Sequence, residues 1–304
     1  MDPLEKSDPD KDTTWALMRE AGARGHATFF ADAGDLSLRG GTPWVRCREV
    51  LVEDSRFTWR GEANWREVSD FPLVWLRTDP PFDHHYVEAT WILEMVDRSR
   101  CRVLNDPTGV RGASEKLYAL HFPELCPPTL VTSDRKLLRD FVLEHGEAVL
   151  KSIRGYAGEG ILFADARMRG LNAQIEAATL QGRCEAQAFL PEASAGDKRI
   201  LLLDGEPIGA VLRVHAEGEE RNNLHLGGRS VKATLDEDDV RIVRTLAPRL
   251  RKDGLIFVGL DVIGGRLTEV NVTSPTGIQE IEDHDGPGAV AKVIDWCERN
   301  RPKA

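Results

Sequence analysis

The sequence predicts an α/β protein, on three observations. Short apolar runs alternate with segments whose apolar residues recur at helical spacing. Two turn signals, LDGEP (203–207) and Gly264-Gly265-Arg266, each sit between two apolar runs, as hairpins do. The 304 residues are 41% hydrophobic and 30% charged, the composition of a globular chain with enough length for a full core.

In order along the chain, Asp12 is placed to cap a helix that runs through Ala23 and ends at Gly25. Val50–Val52, Val74–Leu76 and Val103–Leu104 read as short buried strands, and Tyr86–Val96 is apolar at helical spacing. The first third is therefore expected to be a small α/β unit. Asn105-Asp106-Pro107 marks its boundary. Ser114–Leu120 reads as a short helix, and Asp134 opens a longer one that Gly146 closes. Ala148–Lys151 and Ile161–Phe163 are strand-like about the turn RGYAGEG, residues 165–182 read as helix, and Glu185–Leu190 as a strand ending at Pro191. Ile200–Leu203 with Ile208–Leu212, and Leu255–Ile263 with Leu267–Val272, form the two hairpins. Leu235–Lys252 is a long helix, acidic in its first turn and basic in its last, as the macrodipole favours. Residues 215–230 are too polar for a core and read as a mobile loop or lid over a site.

Composition excludes several functions. With 40 basic and 50 acidic residues the net charge is −10, against a general nucleic-acid binder. No apolar run approaches the roughly 20 residues of a membrane helix. The polar start carries no secretory signal. The five cysteines, at 47, 101, 126, 184 and 297, form no CxxC pair, which fits thiols in a cytoplasm and excludes the usual cysteine zinc site. No HExxH occurs among the eight histidines. Only ten of the cations are Lys, the compact charge suited to phosphate, against thirty Arg.

Glu269 and Asn271 are two apart in a strand and share a face. Asp261 on the partner strand joins them if the hairpin loop is three residues, Gly264 to Arg266, which sets Asp261 opposite Glu269. A two-residue loop sets it opposite Thr268 instead. Three converging oxygen ligands would suit Mg²⁺ rather than zinc; the bland reading is a solvated sheet face. GYAGEG (155–160) is either a bare turn or a loop whose amides approach a phosphate, with Lys151 beside it. Lys116 and Lys151 are phosphate contacts or surface lysines. Arg199, Arg213, Arg221 and Arg229 are a clamp for phosphates and carboxylates or ion-pair partners for nearby acids.

Taken in order, these residues resemble the bacterial glutathione synthetases of the ATP-grasp superfamily over almost the whole chain. The matching runs are MDP (1–3), LRTDPPFD (76–83), EKL (115–117), GDKR (196–199), DGEP (204–207), GGR (227–229), GLIFVGLDVIG (254–264) and LTEVNVTSPTGI (267–278), while 27–70 and 164–183 match weakly. The resemblance implies a pre-ATP-grasp, Rossmann-like domain at 1–112 and a two-part ATP-grasp fold at 113–304, its lid subdomain at about 113–190. It implies ATP and Mg²⁺ (or Mn²⁺) as cofactors, γ-glutamylcysteine and glycine as small-molecule substrates, and no nucleic-acid or membrane partner; a homo-oligomer is compatible. Lys116, Lys151, Gly155 and Gly158 would contact phosphates, Gln187, Phe189 and Leu190 the adenine, and Asp197 the ribose. Asp261, Glu269 and Asn271 would hold the metal. Arg199 would stabilise the transferring phosphoryl group, with Arg213, Arg221, Gly228, Arg229, Ser274 and Thr276 at the substrates.

The chain departs from the family at Lys151-Ser152, where the family has Lys-Pro, and at Gly155-Tyr156-Ala157-Gly158, where it has Gly-x-Gly-Gly. It also starts at Met1-Asp2-Pro3, where the family carries a buried strand just before; either the natural chain begins upstream, which is the expectation, or this branch has rebuilt its first domain so that its strands close without that one. The implied activity is ligation through an acyl phosphate. The alternatives are another ATP-grasp carboxylate–amine ligase and a degenerate nucleotide-binding protein of the same fold.

Overall fold

Asp12 opens α1 (Thr13–Ala23) as expected: its carboxylate accepts from the Thr14 backbone N–H at 2.7 Å and satisfies one of the helix's orphan donors. In this computed structural model, which describes residues 1–155, 160–215 and 228–302, α1 packs Trp15 and Met18 against Leu4, Val50 and Val52. The last two are not a short buried strand. They end β3 (Thr42–Glu53), which pairs antiparallel with β4 (Arg56–Glu67), β1 (Phe29–Phe30) and β2 (Leu36–Arg39). Alternate residues of β3 are buried and most of β4 is open to solvent, so neither strand shows as a continuous apolar run. The parallel part of the N-terminal domain is β5 (Leu73–Trp75), α2 (His84–Glu94) and β6 (Arg102–Leu104), a β-α-β crossover. Among the described residues this parallel sheet has two strands.

Asn105 does more than end a domain. Buried at 3% exposure, it donates to the carbonyls of Phe257 and Val272 and accepts from the N–H groups of Ile256 and Phe257, all at 2.8 Å. One side chain thus uses its whole hydrogen-bonding capacity to tie the N-terminal domain to the central sheet. Asp106 then caps α3 (Pro107–Gly112).

After α4 (Glu115–Ala119) comes a lid sheet in the order β7 (Thr129–Thr132), β10 (Cys184–Ala188), β8 (Glu147–Ser152), β9 (Ile161–Asp165), all pairs antiparallel. α5 (Arg135–His145), capped by Asp134 and ended by Gly146 at φ +80°, covers it. Beside it lies α6 (Leu171–Thr179), shorter than predicted. The Asp165 carboxylate accepts from the Arg167 backbone N–H at 2.7 Å and Gly170 takes φ +94°, so 165–170 turns rather than coils. Leu138, Val142, Leu150, Ile175 and Ala186 give this lid a core of its own.

The central sheet runs β13 (Arg229–Lys232), β12 (Glu206–Val214), β11 (Asp197–Leu203), β14 (Phe257–Ile263), β15 (Arg266–Asn271), again antiparallel. Alternation along β11 sends Ile200 and Leu202 toward α7 (Glu237–Lys252), and Leu201 and Leu203 toward α8 (Ile278–Asp285) and α9 (Ala289–Asn300). α7 starts two residues later than predicted because Asp236 forms a capping box with Asp239. Among the described residues no helix is long and apolar enough to cross a membrane.

Candidate active site

A cavity of about 520 Å³ opens between the lid sheet and the central sheet, with the N-terminal domain at its rim. The β14–β15 hairpin supplies its floor. Asp261 lies opposite Glu269, as expected, but not through a three-residue loop. Ile263 pairs with Arg266 across a two-residue turn, Gly264-Gly265, both at positive φ (+54° and +69°). A bulge then admits Thr268 as an extra residue, between the Val262–Leu267 and Asp261–Glu269 pairs. The bulge changes the parity that the tight turn would have imposed, and Asp261, Glu269 and Asn271 come to one face.

Asp261 is the most heavily bonded of the three. Arg199 grips it with Nε at 2.6 Å and Nη2 at 3.1 Å, Arg213 Nη2 lies 3.0 Å from its second oxygen, and Asn271 donates to that oxygen at 3.2 Å. Burial alone would raise this carboxyl group, yet the two guanidiniums outweigh it and hold Asp261 well below the usual carboxylate range. Arg213 also grips Asp197, at 2.6 and 2.8 Å. Desolvation nevertheless leaves the Asp197 carboxyl raised. The strands set this geometry: Arg199 faces Asp261 across β11–β14, and Asp197 faces Arg213 across β11–β12. Among the described residues Arg199 spends three of its five N–H donors on Asp261 and the Thr276 carbonyl, leaving two for a ligand.

Two lysines meet Glu269 from opposite walls. Lys116 Nζ on α4 is 3.8 Å from Glu269 Oε1, and Lys151 Nζ on β8 is 3.9 Å from it. Both ammonium-bearing residues are more than nine-tenths buried. Lys116 also donates to the carbonyl of Gly155 at 2.6 Å, and Lys151 to Gln187 Oε1 at 2.9 Å. Sequence reasoning missed their neighbour Glu185, which stands opposite Lys151 in the β8–β10 ladder. Glu185 is fully buried, neither of its oxygens is hydrogen-bonded among the described residues, and Lys151 Nζ is 3.8 Å away. Burial pushes this carboxyl group up to about 7 against the pull of Lys151.

The lid side of the cavity is apolar. Val149, Ile161, Phe163, Phe189 and Leu190 line it, with Phe163 and Phe189 edge to face at 6.3 Å. The N–H groups of Ala188 and Phe189 bond to Pro128 and Glu147, whereas Gln187 Nε2 is buried without a partner among the described residues. On the opposite side the loop after β15 is held residue by residue. Thr273 donates to Glu115, Ser274 donates its hydroxyl to Asp79, the Pro275 carbonyl accepts from Arg77 at 3.1 Å, and the Thr276 carbonyl accepts from Arg199 at 3.1 Å. Arg77 and Asp79, both in the N-terminal domain, were not singled out from the sequence. Nothing in their local spacing marks them; only the domain packing brings them here.

Arg229 lies exposed at the start of β13, opposite Val214 and next to Gly228. Ala157, Gly158, Arg221 and most of the polar stretch fall outside the described residues.

The donor set fits a hard divalent cation: two carboxylates and an amide whose N–H points to Asp261, leaving its oxygen for an ion. Among the described residues no group of three or more His, Cys, Asp or Glu could hold a metal by itself, so such an ion needs oxygens from a ligand.

A four-stranded antiparallel lid facing a five-stranded antiparallel sheet, with buried lysines and a carboxylate–amide pair between them, is the ATP-grasp arrangement of ATP-dependent ligases. Residues 1–111 match the family model of the prokaryotic glutathione synthetase N-terminal domain, and residues 115–286 that of the prokaryotic glutathione synthetase ATP-grasp domain. The chain belongs to the prokaryotic glutathione synthetase family. It is 45% identical to the glutathione synthetase of Synechocystis sp. over 312 aligned residues, with 98% of each chain covered. It is 43% identical to that of Yersinia pestis, with 93% of this chain and 90% of the relative covered. Among solved structures, the ATP-grasp ligase PsnB complexed with precursor peptide PsnA2 and AMPPNP superposes at a TM-score of 0.63 with 17% identity, covering 96% of this chain and 97% of that one. The D-cycloserine synthetase DcsG superposes at 0.59 with 18% identity, covering 76% and 85%.

Proposed function

We propose that this chain, an ATP-dependent ligase of the glutathione synthetase family, joins the cysteinyl carboxylate of γ-glutamylcysteine to the amine of glycine through an acyl phosphate. The observation that carries the residue assignment is the convergence of Asp261, Glu269 and Asn271 with Lys116 and Lys151 in one cleft of a chain matched along its length by glutathione synthetases.

A carboxylate is a poor acylating group because its leaving oxygen is too basic. Transfer of the γ-phosphoryl group of ATP to a carboxylate oxygen makes that oxygen a good leaving group. The glycine amine then attacks the acyl carbon, the C–N bond forms, phosphate departs and the amine loses its proton. The protein's share is position and charge. Lys116 and Lys151 neutralise phosphate oxygens, and Lys151, held by Gln187, lies at the boundary between base and phosphates. Phe163, Phe189 and Leu190 take the adenine, with the spare Gln187 Nε2 as a donor to it. The two free N–H donors of Arg199 face the transferring phosphoryl group, while Arg213 keeps Asp197 and Asp261 in register. Glu269 and Asn271, with Asp261, would hold Mg²⁺, which supplies charge neutralisation at the phosphates when bound. Ser274 and Thr276 meet the peptide donor. Desolvation of the cleft strengthens each of these interactions.

The test is an assay of ADP release and product formation with γ-glutamylcysteine and glycine, omitting each in turn. Glutathione should form only in the complete mixture. Efficient turnover with a different acid or amine and none with these would overturn the assignment.

A further inference from the structure

The loop that follows Asn271 is fastened to the N-terminal domain in a way that sets the polarity of its hydroxyl. Ser274 donates its only O–H to Asp79 Oδ1. Its oxygen can then only accept, so Ser274 meets a hydrogen-bond donor on whatever binds beside it. Among the described residues the second Asp79 oxygen has no hydrogen-bond partner and no cation lies within ion-pair distance of that carboxylate. Arg77, two residues earlier, donates to Thr14 Oγ1 and the Pro275 carbonyl rather than to Asp79, and acts on that carboxylate only from beyond ion-pair distance. Asp12, also on this wall, accepts from the Thr14 N–H through Oδ1 and caps α1. Asp79 and Ser274 both line the cavity that holds Glu269 and Asn271. They present two acceptors, one of them charged, to a ligand there. Desolvation at this mouth pushes the Asp79 carboxyl upward, helped by the nearby Asp2 and Asp12 and opposed by the Ser274 hydroxyl and Arg77.

We infer that Asp79, with the Ser274 hydroxyl it orients, takes the protonated α-amino group of the acyl donor and so selects a γ-linked glutamyl head. The inference rests on the proposed ligase reading. Lengths agree with it. The donor's ammonium is seven bonds from its reacting carboxyl carbon, a reach of about 8–9 Å, and residues 271 to 274 span at most about 10 Å. With the carboxylate at the Glu269–Asn271 end, the donor is long enough for its head to reach Ser274. The other N–H groups of the donor are neutral, and its α-amino group is the full cation that a lone carboxylate would recognise.

Asp79→Asn tests this, because it keeps an oxygen for Ser274 and removes the charge. kcat/KM is measured with γ-glutamylcysteine and with glutarylcysteine, which lacks only the α-amino group, and glycine is saturating. The parent should prefer γ-glutamylcysteine by about 10- to 100-fold, the range for a charge-assisted hydrogen bond. Asp79→Asn should lose that much with γ-glutamylcysteine, little with glutarylcysteine, and hence the preference itself. Its affinity for ATP should match the parent's. Asp79→Glu, which keeps the charge, should recover part of the preference. Equal losses on both donors would mean that Asp79 only holds the loop and would overturn this inference alone. No turnover of γ-glutamylcysteine by the parent would overturn the ligase reading and this inference with it.

Discussion

Glu185→Gln should stabilise the protein at pH 8 and leave it almost unchanged at pH 5. Glu185 is fully buried, accepts no hydrogen bond from the described residues, and has its carboxyl group raised from 4.5 to about 7. A carboxylic acid raised in the folded state favours folding below its unfolded value and loses that contribution as pH climbs to the folded value. Above pH 7 the ionised side chain therefore costs about 3 kcal/mol relative to a neutral one, at about 1.4 kcal/mol per tenfold change in proton affinity. The attraction of Lys151 at 3.8 Å is already included in that net value. Gln has nearly the same volume and stays neutral at either pH. For a chain of this length an unfolding entropy of about 2 cal/mol/K per residue converts 3 kcal/mol into about 5 °C of Tm. Thermal unfolding of both proteins, followed by calorimetry at pH 5 and pH 8, reads the difference. A Tm gain that is the same at both pH values, or a loss at pH 8, would refute the reasoning.

Glu269→Gln should lower Mg²⁺-dependent ADP release by at least about 100-fold while the unfolding transition stays within a few degrees, the scale seen when one charge-stabilising group is removed; activity within a few-fold of the parent would show that Glu269 is no metal ligand. Asp261→Asn should destabilise by about 3–5 kcal/mol, because Arg199 and Arg213 would keep their buried charge and lose a shared partner. The Tm should fall by about 5–8 °C, and a fall under about 1 °C would contradict the bidentate geometry. All five cysteines are buried, and desolvation pushes the thiols of Cys101, Cys126 and Cys297 up to about 12 and that of Cys184 up to about 11. Mass spectrometry after alkylation at pH 8 should find them unlabelled in the native protein and labelled after denaturation; stoichiometric native labelling would contradict this.

What the sequence made legible was local. Asp12 and Asp134 each sit where a short carboxylate can reach an N–H two residues on, so both helix starts could be placed. The Asp204-Gly205 turn takes positive φ at both residues, which the DGEP pattern signals. The alignment of Asp261 with Glu269 was foreseen for another reason, since a bulge at Thr268 has no signature in residue types. The β3–β4 hairpin escaped notice because its outer face is charged and open to water. Glu185, Arg77 and Asp79 escaped because their meaning lies in what other elements place beside them. A glutamate in a strand is ordinary until β8 and β7 bury it against a lysine, and Asp79 has no visible task until the loop at 273–277 arrives from the far end of the chain. Within the family's motifs the resemblance carried the residues further than spacing could.

The measurement that meets the central claim most directly follows oxygen. γ-Glutamylcysteine labelled with ¹⁸O in its cysteinyl carboxylate is incubated with ATP, Mg²⁺, glycine and the protein, and the released phosphate is analysed by mass spectrometry. An acyl phosphate requires one carboxylate oxygen to leave with the phosphoryl group, so each phosphate should carry one ¹⁸O, formed together with one glutathione. Phosphate free of label, or label-bearing phosphate formed without the peptide product, would contradict the mechanism.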